Sequence, residues 1–175
     1  MADYRQIQCK AIQEAEALGH TGVGGEHLLL GVLADDQGIA CRILATHGVT
    51  LGAARDRVDR IIGDDWRDST RWTYTTRATV VCALAEVEAE RLGGRQPNSA
   101  HYALALINEG ASVAVTVLME LGVDLSRLRA DLIRAMDAIS EADQERYIRQ
   151  REAYEQAQRE EGGPYGWWQS PPPSA

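Results

Sequence analysis

One phrase of this chain occurs twice. Glu14-Ala15-Glu16, Leu18-Gly19, Leu30, Gly48-Val49, Leu51, Arg55 and Arg60 are matched by Glu88-Ala89-Glu90, Leu92-Gly93, Leu104, Gly122-Val123, Leu125, Arg129 and Arg134. The shift is a constant 74 positions, the separation of His27 and His101. Conservative pairs fill the spaces: Ile7/Val81, Leu33/Ile107, Ile39/Val113, Ile43/Val117 and Val58/Leu132. Self-similarity at one fixed spacing means a duplicated structural unit, and each unit buries its apolar face against the other. Positions shared by both copies are scaffold. Positions that differ are where the copies have diverged in role.

The unit is helical. Ala, Leu, Glu and Arg dominate, apolar residues recur at three and four, and no alternating strand pattern stands out. The punctuation predicts a first helix from Asp3 to Gly19, with Gln6 placed for a capping box. A second runs from Gly25 to Leu33, and a third from Ile39 to His47, ending at Gly48. Thr50 caps a fourth that continues to Ile62 and stops at Gly63. In the second copy Thr75 caps a helix ending before Gly93, Ser99 and Ser112 open the next two, and Asp124 caps the last, through about Ile139. The expected architecture is all-α: two tandem four-helix repeats related by a pseudo-twofold axis, followed by a C-terminal helix and a tail.

The domain boundaries follow from composition. Residues 1–139 hold the double repeat, as 1–63, a joining strap 64–73 and 74–139. The strap is polar with two tryptophans, Trp66 and Trp72, and reads as ordered. From Ser140 to Glu161 there are seven acidic residues and four arginines, a solvated helical extension. Residues 162–175 are rich in proline and aromatics. Such a segment cannot build a core and favours extended backbone. Trp167 and Trp168 within it offer large contact area at low entropic cost, so the tail reads either as a partner-docking peptide or, with equal weight, as a disordered end with incidental aromatics.

Charge and composition exclude several classes. A net charge of −8 leaves no basic surplus for a phosphate backbone, so no nucleic acid is expected. No stretch approaches the apolar length of a membrane span, and no signal peptide stands at the front. Cys9, Cys41 and Cys82 form no CxxC pair and fall at near-apolar helical positions, which suggests small core residues of a reduced, cytoplasmic protein. His20, His27, His47 and His101 show no metal-ligand spacing. His27 and His101 are repeat mates, expected to hydrogen-bond beneath a helix start. Glu14, Glu16, Glu88 and Glu90 read as solvated helix-surface acids. Gly22 to Gly25 is Gly-rich but lacks the lysine of a phosphate loop, and no GxxxxGK[ST] occurs. No cofactor, metal site or catalytic residue is expected.

The repeated phrase runs Glu14-Ala15-Glu16-Ala17-Leu18-Gly19-His20, Gly24-Gly25-Glu26-His27-Leu28-Leu29-Leu30-Gly31-Val32-Leu33, then Gly38-Ile39-Ala40-Cys41-Arg42-Ile43-Leu44 and Gly48-Val49. The second copy opens Tyr74-Thr75-Thr76-Arg77-Ala78 and closes Leu121-Gly122-Val123-Asp124-Leu125. Over residues 1 to 139 this resembles the Clp N-terminal double repeat, found at the front of ClpC and ClpA unfoldases. The resemblance implies an eight-helix, non-enzymatic module that binds adaptors, tagged substrates or cyclic peptides. The family's nucleotide modules lie beyond this domain, and none is present in this chain.

The resemblance also implies a site. Some ClpC N-domains hold phosphoarginine once per repeat, with a Thr hydroxyl and helix-start N–H groups on the phosphate and a Glu on the guanidinium. Mapped residue by residue, Glu26 stands in copy one, whose helix-opening Thr aligns with Met1. Tyr74, Thr75 and Arg77 stand in copy two, where Ala100 replaces the Glu. Each site is therefore expected to be half missing. The expected function is peptide or adaptor binding connected with Clp-dependent proteolysis, with a decoy role toward ligands of a ClpC unfoldase as one form of it. The alternative is an accessory protein of a specialised natural-product pathway that binds a small molecule or cyclic peptide.

Overall fold

Helix boundaries fall where capping chemistry places them. Thr50 Oγ1 accepts from the Ala53 N–H at 3.2 Å and Thr75 Oγ1 from the Ala78 N–H at 3.0 Å. Asp124 Oδ1 accepts from Ser126 and Arg127 at 2.9 and 3.1 Å. Gly48 and Gly122, repeat mates, end their helices at φ of +77° and +79°, a backbone region that only glycine enters without strain.

The computed structural model describes residues 4–63, 73–92, 96–138, 149 and 153. In chain order the elements are α1 (Tyr4–Ala17), β1 (Gly22–Val23), α2 (Gly25–Leu33), α3 (Ile39–Thr46), α4 (Leu51–Ile62), β2 (Thr73–Tyr74), α5 (Thr76–Arg91), α6 (Ser99–Glu109) and α7 (Val113–Glu120). Residues 125–138 form α8. The chain divides into two units, 1–135 and 136–175. The second is described only at 136–138, 149 and 153. The first contains both copies in an all-α double repeat. The expected opening at Asp3 lies outside the described residues, as do most of the strap, the 140–161 extension and the tail.

The core is built on α2 and α6. All nine residues of α2 and Ser99 to Leu106 of α6 are buried. Each is sheltered by the first helix of its own copy, α1 on α2 and α5 on α6. The copies then interlock: α2 meets α6 and α7, α3 meets α6, and α4 meets α7. Leu28, Leu30, Leu44, Leu104, Leu106, Leu118, Leu128 and Leu132 fill the interior, all at 2% exposure or less.

Three local expectations change. First, the chain makes a two-residue parallel pairing, Gly22 opposite Thr73 and Val23 opposite Tyr74. Two residues are too few to show a strand period. Second, Glu14 and Glu88 are buried, not solvated. Glu14 takes a fork from Arg55, at 2.7 Å to each carboxylate oxygen. Glu88 accepts from Arg91 and, at 2.8 Å, from Asn108 Nδ2. Glu16 and Glu90 are exposed, as expected. Third, Cys9 is exposed and Cys41 and Cys82 are half-buried, so none is a core residue.

Candidate functional site

A parallel strand pair aligns the starts of the helices that follow it. β1 leads into α2 and β2 into α5, and the Thr75 N–H extends the pairing by donating to the Val23 carbonyl at 2.9 Å. The opening of α5, from copy two, is thereby set beside the opening of α2, from copy one. The start of α7 and the end of α4 complete a cleft of about 500 Å3. Gly24, Gly25 and Glu26 line one side, Thr75, Thr76 and Arg77 a second, and Ala111, Ser112 and Val113 a third. Ile61 and Ile62 supply an apolar wall. The first-turn N–H groups of a helix lack intrahelical partners and carry the positive end of its dipole. Three such starts line this one space.

This geometry brings together residues that comparison of the copies in line keeps apart. Glu26 and Thr75 belong to different copies yet share one cleft. Residues assigned to separate copies in the sequence therefore meet at one position. The physical reason is the β1–β2 pairing, which no local pattern announces.

The charges in the cleft are held by structure. Glu26 is 4% exposed, and burial raises its carboxyl above the ordinary range. Its carboxylate folds over Gly24, where any side chain would collide with it. Arg77 reaches out at the rim, 57% exposed, with Nη1 2.6 Å from Glu109 Oε1. Burial pushes the Glu109 carboxyl up. The hydrogen bonds from Arg77 and the Ala111 N–H outweigh that and hold it low. Thr75 stands at the lining with its Oγ1 engaged as a cap. Tyr74 does not line the cleft. Its half-buried phenol is pushed up to about 12, by burial first and then by the neighbouring Cys82 and Cys9 thiols. Trp167 and Trp168 lie outside the described residues.

The histidines are structural. Gly24 N–H donates to His27 Nδ1 at 2.9 Å, and Asn98 N–H to His101 Nδ1 at 3.0 Å, as their repeat relation leads one to expect. With Nδ1 accepting, His27 must donate from Nε2, which lies 2.8 Å from His20 Nδ1. Both rings are buried and meet edge to face. Burial and the adjacent His20 lower His27 to about 3. Burial also pushes the Cys41 and Cys82 thiols up, away from a reactive thiolate. Among the described residues no cluster of His, Cys, Asp or Glu could hold a metal ion.

The duplicated four-helix unit and its cross-copy pairing can be set against known proteins. The model of the Clp repeat (R) N-terminal domain matches residues 3–96 and again 73–159. This chain belongs to the Clp repeat N-terminal domain family. Among curated relatives it is 36% identical over 124 residues to the chaperone protein ClpB of Oceanobacillus iheyensis, covering 71% of this chain and 15% of that protein. It is 40% identical over 132 residues to a ClpA homolog of Cyanidium caldarium, covering 75% and 16%. It is 39% identical over 133 residues to chloroplastic ClpC2 of Oryza sativa subsp. japonica, covering 75% and 14%. The chain thus spans about one-sixth of these relatives' length or less. In structure it resembles the N-terminal domain of the ClpD chaperone of Arabidopsis thaliana, with a TM-score of 0.65 at 22% identity over 78% of this chain and 94% of that one. The Hsp104 N-terminal domain of Candida albicans gives 0.59 at 14%, over 76% and 88%. These likenesses agree on the fold. Clp N-domains are non-catalytic interaction modules, and membership makes this chain a Clp-associated protein-interaction module. No single described helix is long and apolar enough to cross a membrane.

Ser112, Ile61 and Ile62 are not among the site residues expected from the sequence. Ser112 did carry a signal, since its repeat mate is Gly38.

Proposed function

We propose that this Clp repeat protein is a non-catalytic peptide- or adaptor-binding module of Clp-dependent proteolysis, capturing ligands that a ClpC unfoldase N-domain would otherwise bind. The observation that carries this reading is the cleft between the copies. It combines a buried acid, Glu26, a rim cation, Arg77, and three helix starts with an apolar wall from Ile61 and Ile62. An acceptor on one side and donors on the others suit a peptide, which offers both N–H and oxygen groups. Tyr74 stands beside the cleft as part of the β2 pairing that positions Thr75, and reads as a support for the site.

Isothermal titration tests the proposal with degradation-tagged peptides, Clp adaptors and cyclic peptides. Saturable binding is expected, weakened about tenfold in Glu26→Gln, the loss of one charged hydrogen bond. Absence of binding to every one of these probes would remove the proposal. A second reading, capture of a small molecule in a specialised pathway, is favoured by the cleft volume of about 500 Å3, within the range of small-molecule sites. Native mass spectrometry of protein purified from its source distinguishes it by a bound low-mass ligand.

The tail is assigned to partner docking through Trp167 and Trp168. Pull-downs with and without residues 162–175 decide this. Equal partner recovery would show that the tail takes no part.

A further inference from the structure

The outer face of α5 is apolar, and that of its repeat mate α1 is not. α5 turns Ala78, Val81, Ala85, Glu88 and Ala89 into the interior. On the opposite side Val80, Ala83 and Val87 form one exposed line, with the half-buried Leu84 beside it. Val80 and Val87 are 44% and 55% exposed, two of the three exposed large apolar side chains among the described residues. Single apolar residues at a surface are ordinary, whereas a line of them along one helix marks a contact face. In α1 the mates of Val80, Ala83, Leu84 and Val87 are Gln6, Cys9, Lys10 and Gln13, which stand in the same exposure classes. The shared scaffold therefore does not require the apolar line, and copy two alone carries it.

Charges flank the line unequally. By helical periodicity the exposed Glu86 and Glu90 lie along one edge, and Arg77 and Arg91 along the other. The arginine side chains are 57% and 49% exposed. Each is steadied by a carboxylate of its own chain, Arg77 by Glu109 and Arg91 by Glu88. A guanidinium has donors enough to meet a second carboxylate. Glu86 and Arg91 are also peculiar to copy two, since their mates are Ile12 and Ala17.

These features describe one half of a parallel helix pair. In such a pair apolar residues recur at seven-residue spacing, as Val80 and Val87 do, with Ala83 between them. A β-branched residue at that position favours two strands. The acid on one edge of each helix meets the cation on the opposite edge of the other, one turn further along, and Glu86 and Arg91 have that spacing. A twofold axis along the pair makes this contact twice. Reversing one helix end for end sets Arg77 beside Arg91 of the partner subunit, cation against cation, which opposes association.

We propose that α5 is a self-association face: two copies of this chain pair in parallel about a twofold axis, with Val80, Ala83 and Val87 in contact and Glu86 of each copy opposite Arg91 of the partner subunit. The contact is one helix face wide. Its area falls below that of stable dimers, so association is weak and depends on concentration. The pairing does not depend on what the cleft binds.

Sedimentation velocity of the full chain, taken from low micromolar into the millimolar range, tests this. A monomer–dimer equilibrium is expected. Val80→Gln with Val87→Gln gives copy two the residues that copy one carries, and should leave a monomer with an unchanged thermal midpoint. Glu86→Arg should weaken dimerisation about tenfold, because two attractions become repulsions. Direction is read by cross-linking in a Cys9→Ser background under mild oxidation. Val80→Cys should form a disulfide-linked dimer, and Met119→Cys, exposed away from the line, should not. A monomer at every concentration would overturn the inference, as would an unchanged dimer in the double glutamine variant. A double glutamine variant with a lowered midpoint and unaltered mass would mean that another segment of the same chain covers the line, and would also overturn it. Unchanged dimerisation in Glu86→Arg, or cross-linking no faster for Val80→Cys than for Met119→Cys, would refute the parallel pairing.

Discussion

Two positions, Gly31 and His27, carry distinct consequences at the scale of single residues. Gly31 lies where α1 and α2 touch, and a Cβ on it would sit 2.7 Å from the Ile7 carbonyl oxygen and 2.9 Å from the Ala11 nitrogen. Those neighbours are backbone and cannot swing aside. Gly31→Ala should therefore destabilise by about 1–3 kcal/mol through overpacking, measured by urea unfolding. A midpoint like the wild type would mean that α1 can shift freely. The mate of Gly31 is Ala105, so the second copy already accepts the methyl that the first excludes. His27 sets a pH dependence. Its folded pKa is lowered to about 3 from an ordinary 6.5, so the unfolded chain binds the proton first as pH falls. The stabilisation is fully present above 6.5 and is lost progressively toward 3. At pH 5 the loss should be about 2 kcal/mol from this group, at 1.36 kcal/mol per unit. Denaturant midpoints at pH 7.5 and 5 measure it, and His27→Gln should flatten the difference.

At the scale of elements, the helix starts carry both stability and the site. Asn98 closes the start of α6 with its own amide oxygen, so Asn98→Ala should cost about 1 kcal/mol of stability. Thermal unfolding reads this directly, and Asn98→Asp should recover most of it. Helix ends were legible from the chain because their causes are local. Thr50, Thr75, Ser112 and Asp124 stand at the predicted starts, and Gly48 and Gly122 at the predicted stops. The burial of Glu14 was not legible. Arg55 lies 41 positions away, and nothing near Glu14 marks it as the partner. In the second copy the same pair, Glu88 and Arg129, has Asn108 placed between them.

For the whole molecule, the interlocking of copies has a thermodynamic consequence. Each copy's α2 or α6 is covered partly by helices of the other copy, through the α2–α6, α2–α7 and α3–α6 contacts. Cross-copy bonds add to this, His47 to Asp131 at 3.0 Å and Arg57 to Glu120 at 3.2 Å. A fragment of residues 1–63 would expose the apolar faces of α2 and α4. It should show no cooperative thermal transition, whereas the full repeat should unfold in one step. A sigmoidal calorimetric transition from the fragment alone would refute the interlocked picture.

The sequence by itself determined the unit, its duplication, the helix boundaries and the family resemblance. All of these rest on local capping chemistry and on the 74-residue repeat of apolar positions. Only the tertiary structure decided which candidate residues meet. Comparing the copies in line set Glu26 against Ala100 and Thr75 against Met1, and each site looked broken. In the fold, Val23 pairs with Tyr74, and Glu26 and Thr75 close on one cleft. A cleft shared between copies depends on contacts some fifty residues apart in the chain, and periodicity carries no record of those.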